Sequence, residues 1–249
     1  YRDRAEYLGD TDYVAVPVSQ LVSKPHAGLR RLWIREGEAT PSSELPAVQP
    51  ERVKGTDTTH FSILDKEGNR VAATLSINYP FGSGYVVPGT GVLLNDEMDD
   101  FSIKPGTANV YGLLGNSANA IAPGKRMLSS MSPTFIESAD RLVILGTPGG
   151  SRIITMVLNG ILNAIDGAGA EALVTAPRFH HQYMPDRIDT EPGVFEPQVR
   201  SALESRGHVV VEREDPFGNM QAIVWDRRTD RVTAASDPRG MGHAEVRYD

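Results

Sequence analysis

The chain has 249 residues, 40% of them hydrophobic, with a formal net charge of −7 at pH 7 and no cysteine. That is enough apolar material for one sizeable core, and the interspersed, acidic charge offers no basic face to nucleic-acid phosphates or anionic lipid. The lack of cysteine excludes thiolate catalysis, thiolate metal ligation and disulfides, and no segment approaches the roughly eighteen uninterrupted apolar residues of a membrane span.

The chain begins at Tyr1, and YRDRAEYLGD reads as a helix passing into a loop, which predicts a fragment or processed product with any signal peptide upstream. Residues 1–57 are polar and rich in Pro, Glu and Arg, with EATPSSELPAVQPE from Glu38 to Glu51; this composition predicts a mobile surface segment ending in KGTD. Strand-like runs over 59–64 and 70–77, joined by Asp65–Asn69, predict a hairpin. TFIES and RLVILGT around Ala139–Asp140 predict a second hairpin, and MQAIVWD and RVTAAS around RRTD predict a third. Between the last two lies SRIITMVLNGILNAI, with apolar residues at 153, 154, 157, 158, 161, 162 and 165, the spacing of an amphipathic helix that packs on a sheet. Ser151 is its expected N-cap, and PQVRSALESRG predicts a further helix stopped by Gly207. Antiparallel pairs with helices between them give an α+β fold.

Several residues stand where chemistry could be done. Thr58 and Thr59 mark the junction between the polar segment and the first strand. A threonine hydroxyl becomes a competent nucleophile beside a base, and its own α-amine, freed by a chain break before it, is one such base, with an unperturbed pKa of roughly 7.7–8.0. The other reading is an ordinary β-branched strand start. NDEMDD sets Glu97 and Asp100 one turn apart on one side, suited to a substrate ammonium or simply to a solvated turn; it lacks the glycine and spacing of a calcium loop. LSSMSPT offers the hydroxyls of Ser129 and Ser130. In TPGGSR, Gly149 and Gly150 precede the amphipathic helix, where two backbone N–H groups and the helix terminus suit an oxyanion; no lysine follows as a phosphate loop requires. His180 and His181 are adjacent, and on a strand would point to opposite faces rather than share a metal.

Taken together and in order, TTHFSILD, SINYPFGSG, GVLLNDEMDDFS, NVYGLLG, LSSMSPT, TPGGSRIIT and APRFHHQ resemble the γ-glutamyltransferase (glutathione hydrolase) family over the whole chain. The resemblance implies the αββα four-layer sandwich of N-terminal nucleophile hydrolases. It implies a precursor that cuts itself between Asp57 and Thr58, so that 1–57 is the tail of the large subunit and 58–249 the small, catalytic subunit. Thr58 then corresponds to the nucleophile, Ser76 to a threonine whose hydroxyl bonds the nucleophile's amine, and Asn78 to a contact of the glutamyl group. Glu97 and Asp100 correspond to the binders of the glutamate α-amino group, Ser129 and Ser130 to those of its α-carboxylate, and Gly149 and Gly150 to the oxyanion hole. Tyr111 corresponds to a lid tyrosine on Pro105–Gly115. The implied reaction needs no metal or other cofactor; its donors are glutathione and other γ-glutamyl amides, and its acceptors water, amino acids or peptides. The large subunit is the implied partner, and a periplasmic or secreted location is implied as well. Two alternatives stay open: a related acylase of the same scaffold acting on glutaryl or cephalosporin side chains, and a non-catalytic, uncleaved fragment.

Overall fold

The computed structural model describes residues 1–44, 58–102, 104 and 115–248. They divide into two compact units: one of 1–54, 97–129 and 181–212, the other of 55–96, 130–180 and 213–249.

In the first unit, three helices form from the N-terminal residues: α1 (Arg2–Tyr7), α2 (Val18–Leu21) and α3 (Lys24–Arg31). Helix α1 matches the helix passing into a loop expected from YRDRAEYLGD, whereas α2 and α3 are helices that the composition of 1–57 did not announce. The physical reason is local: Ser23 accepts a hydrogen bond from the His26 N–H at 3.2 Å, and a proline sits in the first turn of α3, a start signal that overall polarity masks. Asp3 of α1 then ties the helices together by accepting from His26 at 2.8 Å and from Arg30. Asp10 binds the Arg126 backbone N–H (2.8 Å) and guanidinium (2.6 Å), which holds its carboxyl well below the usual range.

The second unit opens with β1 (Thr58–Leu64) and β2 (Arg70–Ser76), an antiparallel hairpin in which Thr58 faces Ser76 and His60 faces Thr74. Its turn is locked by Asp65, whose carboxylate accepts from the Asn69 N–H at 2.8 Å, and by Gly68 at φ 85°. Strands β3 (Thr134–Glu137) and β4 (Arg141–Gly146) form the second expected hairpin. Helices α4 (Ile153–Ile165) and α5 (Ala170–Thr175) and a two-residue strand β5 (Phe179–His180) follow. In the first unit, β6 (Ile188–Thr190) runs parallel to β7 (Val210–Glu212), with α6 (Pro197–Ser205) between them in sequence. Gly207, at φ 95°, ends α6: its N–H reaches Glu204 O at 2.9 Å, and that of His208 reaches Leu203 O at 3.1 Å. Strands β8 (Gln221–Asp226) and β9 (Arg231–Ser236) complete a sheet ordered β3-β4-β8-β9 in the second unit.

That sheet is covered on both sides. Alternation sends Val143, Leu145, Ala222, Val224 and Ala235 toward α4 and α5, where they join Ile153, Met156, Val157, Leu173 and Val174 in the core. The opposite face, carrying Leu142, Ile144 and Gly146 of β4, meets the hairpin, since β1 packs on β4 and β8 and β2 packs on β4. Helices, sheet and hairpin thus stack as three successive layers. The hairpin's row facing the sheet is Thr58, His60, Ser62, Thr74 and Ser76, while Phe61, Ile63, Val71 and Leu75 form its other face, exposed in this chain.

A buried ion cluster locks the helical side. Asp237, fully buried, accepts from Arg178, from the Met220 N–H (2.8 Å) and from the Arg239 backbone (2.9 Å) and guanidinium (3.2 Å). The two arginines also donate to Val174 O at 3.1 and 2.9 Å, and so satisfy carbonyls left open at the end of α5.

Candidate active site

Thr58 is the first residue of β1, half-buried on the inward face. Its hydroxyl donates to Ser76 Oγ at 3.1 Å, and Ser76 Oγ also accepts the Asn78 N–H at 2.9 Å. Asn78 is buried and held at φ 72°, a left-handed conformation that asparagine tolerates better than most residues. Its Nδ2 donates to Asp96 O at 3.2 Å, and the Asp96 carboxylate accepts from the Tyr79 N–H at 3.0 Å. A nucleophile candidate, its hydroxyl partner and a polar amide are thereby fixed at one end of the hairpin by main-chain bonds.

At the end of β4, Thr147 is buried, donates to Pro148 O at 2.8 Å and accepts from the Asn219 N–H at 3.1 Å, which pins the loop that follows. Gly149 has φ 143° and Gly150 φ 57°, both in the left-handed half of φ space, and a Cβ on Gly149 would overlap Met156 Cε beneath it. The bend demands glycine here. Ser151 does not cap α4 as expected. Residues Gly150–Arg152 form a 3-10 turn of their own, so the cap position of α4 falls on Arg152, with no side-chain cap bond.

Ser130 belongs to the same unit as Thr58 and is half-buried, and its carbonyl accepts from Ser132 Oγ at 3.0 Å. Ser129, Glu97 and Asp100 belong to the other unit. There Glu97–Asp100 is a 3-10 turn, whose three-residue repeat puts both carboxylates, each half-buried, on one side. Asp100 also has a neighbour that its spacing did not announce: burial lowers the pKa of the Arg4 guanidinium, and the Asp100 charge opposes that shift. Asp57 and Tyr111 lie outside the described residues, as does Pro105–Gly115 apart from Gly115. His180 is buried with Nδ1 2.9 Å from Thr155 Oγ1, whereas His181 bonds Asp186 at 3.3 Å. Among the described residues no group of three or more His, Asp or Glu side chains is arranged to hold a metal ion.

His60 is the residue that motif reading passed over. It is buried, with Nδ1 2.8 Å from Thr74 Oγ1 and Nε2 3.1 Å from Ser62 Oγ. Two hydroxyls satisfy a neutral imidazole in either tautomer, and burial pushes its pKa down to about 4. The signal was present as polar alternation: Thr58, His60 and Ser62 share one face of β1.

The gamma-glutamyltranspeptidase family model matches residues 1–247. This chain belongs to that family. It is 44% identical over 250 residues to the glutathione hydrolase proenzyme of Escherichia coli, with all of this chain and 43% of that protein covered. The chain therefore spans less than half the length of the curated relatives it matches. A solved gamma-glutamyltranspeptidase from Pseudomonas nitroreducens, complexed with L-DON, is 46% identical with a TM-score of 0.70, covering 76% of this chain and 100% of its own. A cephalosporin acylase from Bacillus halodurans is 30% identical with a TM-score of 0.75 over 95% of this chain and 42% of its own. The fold is accordingly the α+β, αββα arrangement of the N-terminal nucleophile hydrolases, of which the second unit displays α, β and β layers in order. No helix among the described residues is long and apolar enough to cross a membrane.

Proposed function

We propose that this chain carries the nucleophile of a γ-glutamyl transfer and hydrolysis enzyme acting on glutathione and related γ-glutamyl amides. The observation that carries the reading is Thr58 itself: the first residue of an inner strand, its hydroxyl 3.1 Å from that of Ser76, in the same unit as a loop with two left-handed glycines. Maturation begins when Thr58 Oγ attacks the Asp57 carbonyl; the N→O shift gives an ester, and water hydrolyses it to release residues 1–57 as the large-subunit tail and a new α-amine on Thr58. That amine takes the hydroxyl proton as Thr58 attacks the γ-carbonyl of the donor, and the Gly149 and Gly150 N–H groups receive the developing oxyanion. The departing amine takes the proton back. Water then gives hydrolysis, and an amino acid or peptide gives transpeptidation, from one acyl-enzyme. Ser76 orients the nucleophile, Asn78 holds the glutamyl chain, Glu97 and Asp100 hold the donor's ammonium, Ser129 and Ser130 its α-carboxylate, and Tyr111 covers the pocket. The large subunit completes the enzyme, in a periplasmic or secreted setting.

Likeness to the cephalosporin acylase favours a second reading, an acylase for glutaryl-type side chains. The acidic pair Glu97 and Asp100 argues for the first, because a glutaryl group has no ammonium for the pair to bind. The test is intact mass and N-terminal sequencing of the full-length protein. A chain starting Thr-Thr-His-Phe is expected from the wild type and an uncut, inactive chain from Thr58→Ala; a Thr58→Ala protein that still splits overturns the assignment, and an uncut wild type supports the non-catalytic reading.

A further inference from the structure

We infer that His60 and Gly146 form a matched pair that sets the spacing between the nucleophile strand and the glycine loop, making His60 a positioning residue. The inference rests on the functional reading above, but its geometry stands independently of it. On β1, His60 lies two residues after Thr58 on the same inward face. On β4, Gly146 is the last residue of the row Leu142, Ile144, Gly146 that faces the hairpin, and the chain runs from it through Thr147 and Pro148 into Gly149. The imidazole lies directly on Gly146: a Cβ there would overlap ring atoms Cε1 and Nδ1 and stand only 2.7 Å from Nε2. No side chain of any size fits between the ring and the strand. Gly146 has no positive φ to account for it, so the space taken by the ring is what demands glycine.

The ring cannot slide to relieve pressure, because Thr74 at 2.8 Å and Ser62 at 3.1 Å hold it at both nitrogens. It is a rigid spacer between β1 and β4: His60 is two residues from Thr58, and Gly146, on which the ring lies, is three from Gly149. Its thickness sets how far Thr58 stands from the loop amides. That distance matters most when the tetrahedral oxyanion forms, so a wrong spacing is felt in kcat rather than in KM. A displacement near 1 Å costs on the order of 100-fold in rate.

The experiment uses the full-length protein and a γ-glutamyl anilide, with kcat normalised to the mature chain beginning at Thr58, counted by intact mass. Gly146→Ala is expected to lower kcat on the order of 100-fold with KM changed less than about threefold, a split that simple loss of folded protein does not produce. Adding His60→Ala to Gly146→Ala makes room for the new methyl, so the double variant is expected to lose less than the sum of the two single losses. His60→Asn keeps a polar atom toward Thr74 and serves if Gly146→Ala fails to fold; it is expected to lower kcat at least about tenfold with KM unchanged. Unchanged kcat in whichever of these folds, or strictly additive losses, overturns the inference while leaving the functional reading intact. A wild type that neither matures nor turns over overturns that reading, and the inference with it.

Discussion

The burial of His60 makes an acid-stability prediction with a defined window. Its folded pKa of about 4 lies below the ordinary 6.5, so between those values the unfolded chain binds a proton that the folded chain refuses. Stability is therefore complete above about pH 6.5 and is lost as pH falls toward 4. At pH 5 the unfolded imidazole is almost wholly protonated and the folded one almost wholly neutral, which amounts to about 2 kcal/mol. For a chain of this size that lowers the melting temperature by about 4–8 °C. Carboxylates held low in the fold act in a different range: Glu137, bonded by Arg227 and Arg70, and Asp65, bonded by Asn69, contribute above their ordinary 4.5 and 3.8 and lose that contribution at lower pH. The assay is thermal denaturation at pH 7 and pH 5 for the wild type and for His60→Asn. The wild type should lose the stated margin and the variant should lose little. An equal drop in both would refute the reasoning, because the proton responsible would then bind elsewhere.

Removing the Asp237 carboxylate by Asp237→Ala strands the guanidiniums of Arg178 and Arg239, of which Arg178 is itself buried, and should cost about 3–5 kcal/mol in urea denaturation; a cost below about 1 kcal/mol would mean that the α5 carbonyls alone satisfy both arginines. Glu97→Gln should raise KM for γ-glutamyl donors by about 10- to 100-fold, the worth of a hydrogen bond to a charged group, and should leave a desamino glutaryl donor unaffected. An equal change for both donors would remove Glu97 from the ammonium site.

Parts of this fold were legible because their signals are short-range. The three hairpins follow from alternation bounded by turn residues, and β1 to β2 landed within a residue of the expected ends because Asp65 and Gly68 close that turn locally. Helix α4 follows from its 3.6-residue apolar stripe, and the end of α6 from Gly207. What stayed hidden depends on partners far along the chain. The tie between α1 and α3, Asp3 to Arg30, joins separate segments, and the parallel pairing of β6 with β7 spans the whole of α6. No composition window can see those contacts. The motif residues were legible only as types: Thr58, Asn78 and Gly149 could be singled out, but the Ser76 hydroxyl bond, the left-handed Asn78 and the Arg4 charge beside Asp100 needed the fold.

The hairpin shows where sequence reasoning and site chemistry diverge. A strand of this kind ordinarily turns its apolar residues inward, and by that rule Phe61 and Ile63 would be core and Thr58, His60 and Ser62 surface. Here the hydroxyl and imidazole row packs against the sheet, and the apolar row, exposed in this chain, lies on the face where the αββα arrangement has its fourth layer. A slip of β1 by one residue against β2 would carry Thr58 away from the inward face and lift His60 off Gly146. The register is instead held by the Asp65–Asn69 turn at one end and by the Ser76 hydroxyl, bonded to both Thr58 and Asn78, at the other. An inward face made of polar groups is stable only when those groups satisfy one another, as Thr58 with Ser76 and His60 with Thr74 and Ser62 do. The same bonds that make this buried polar row tolerable therefore fix the candidate nucleophile in place.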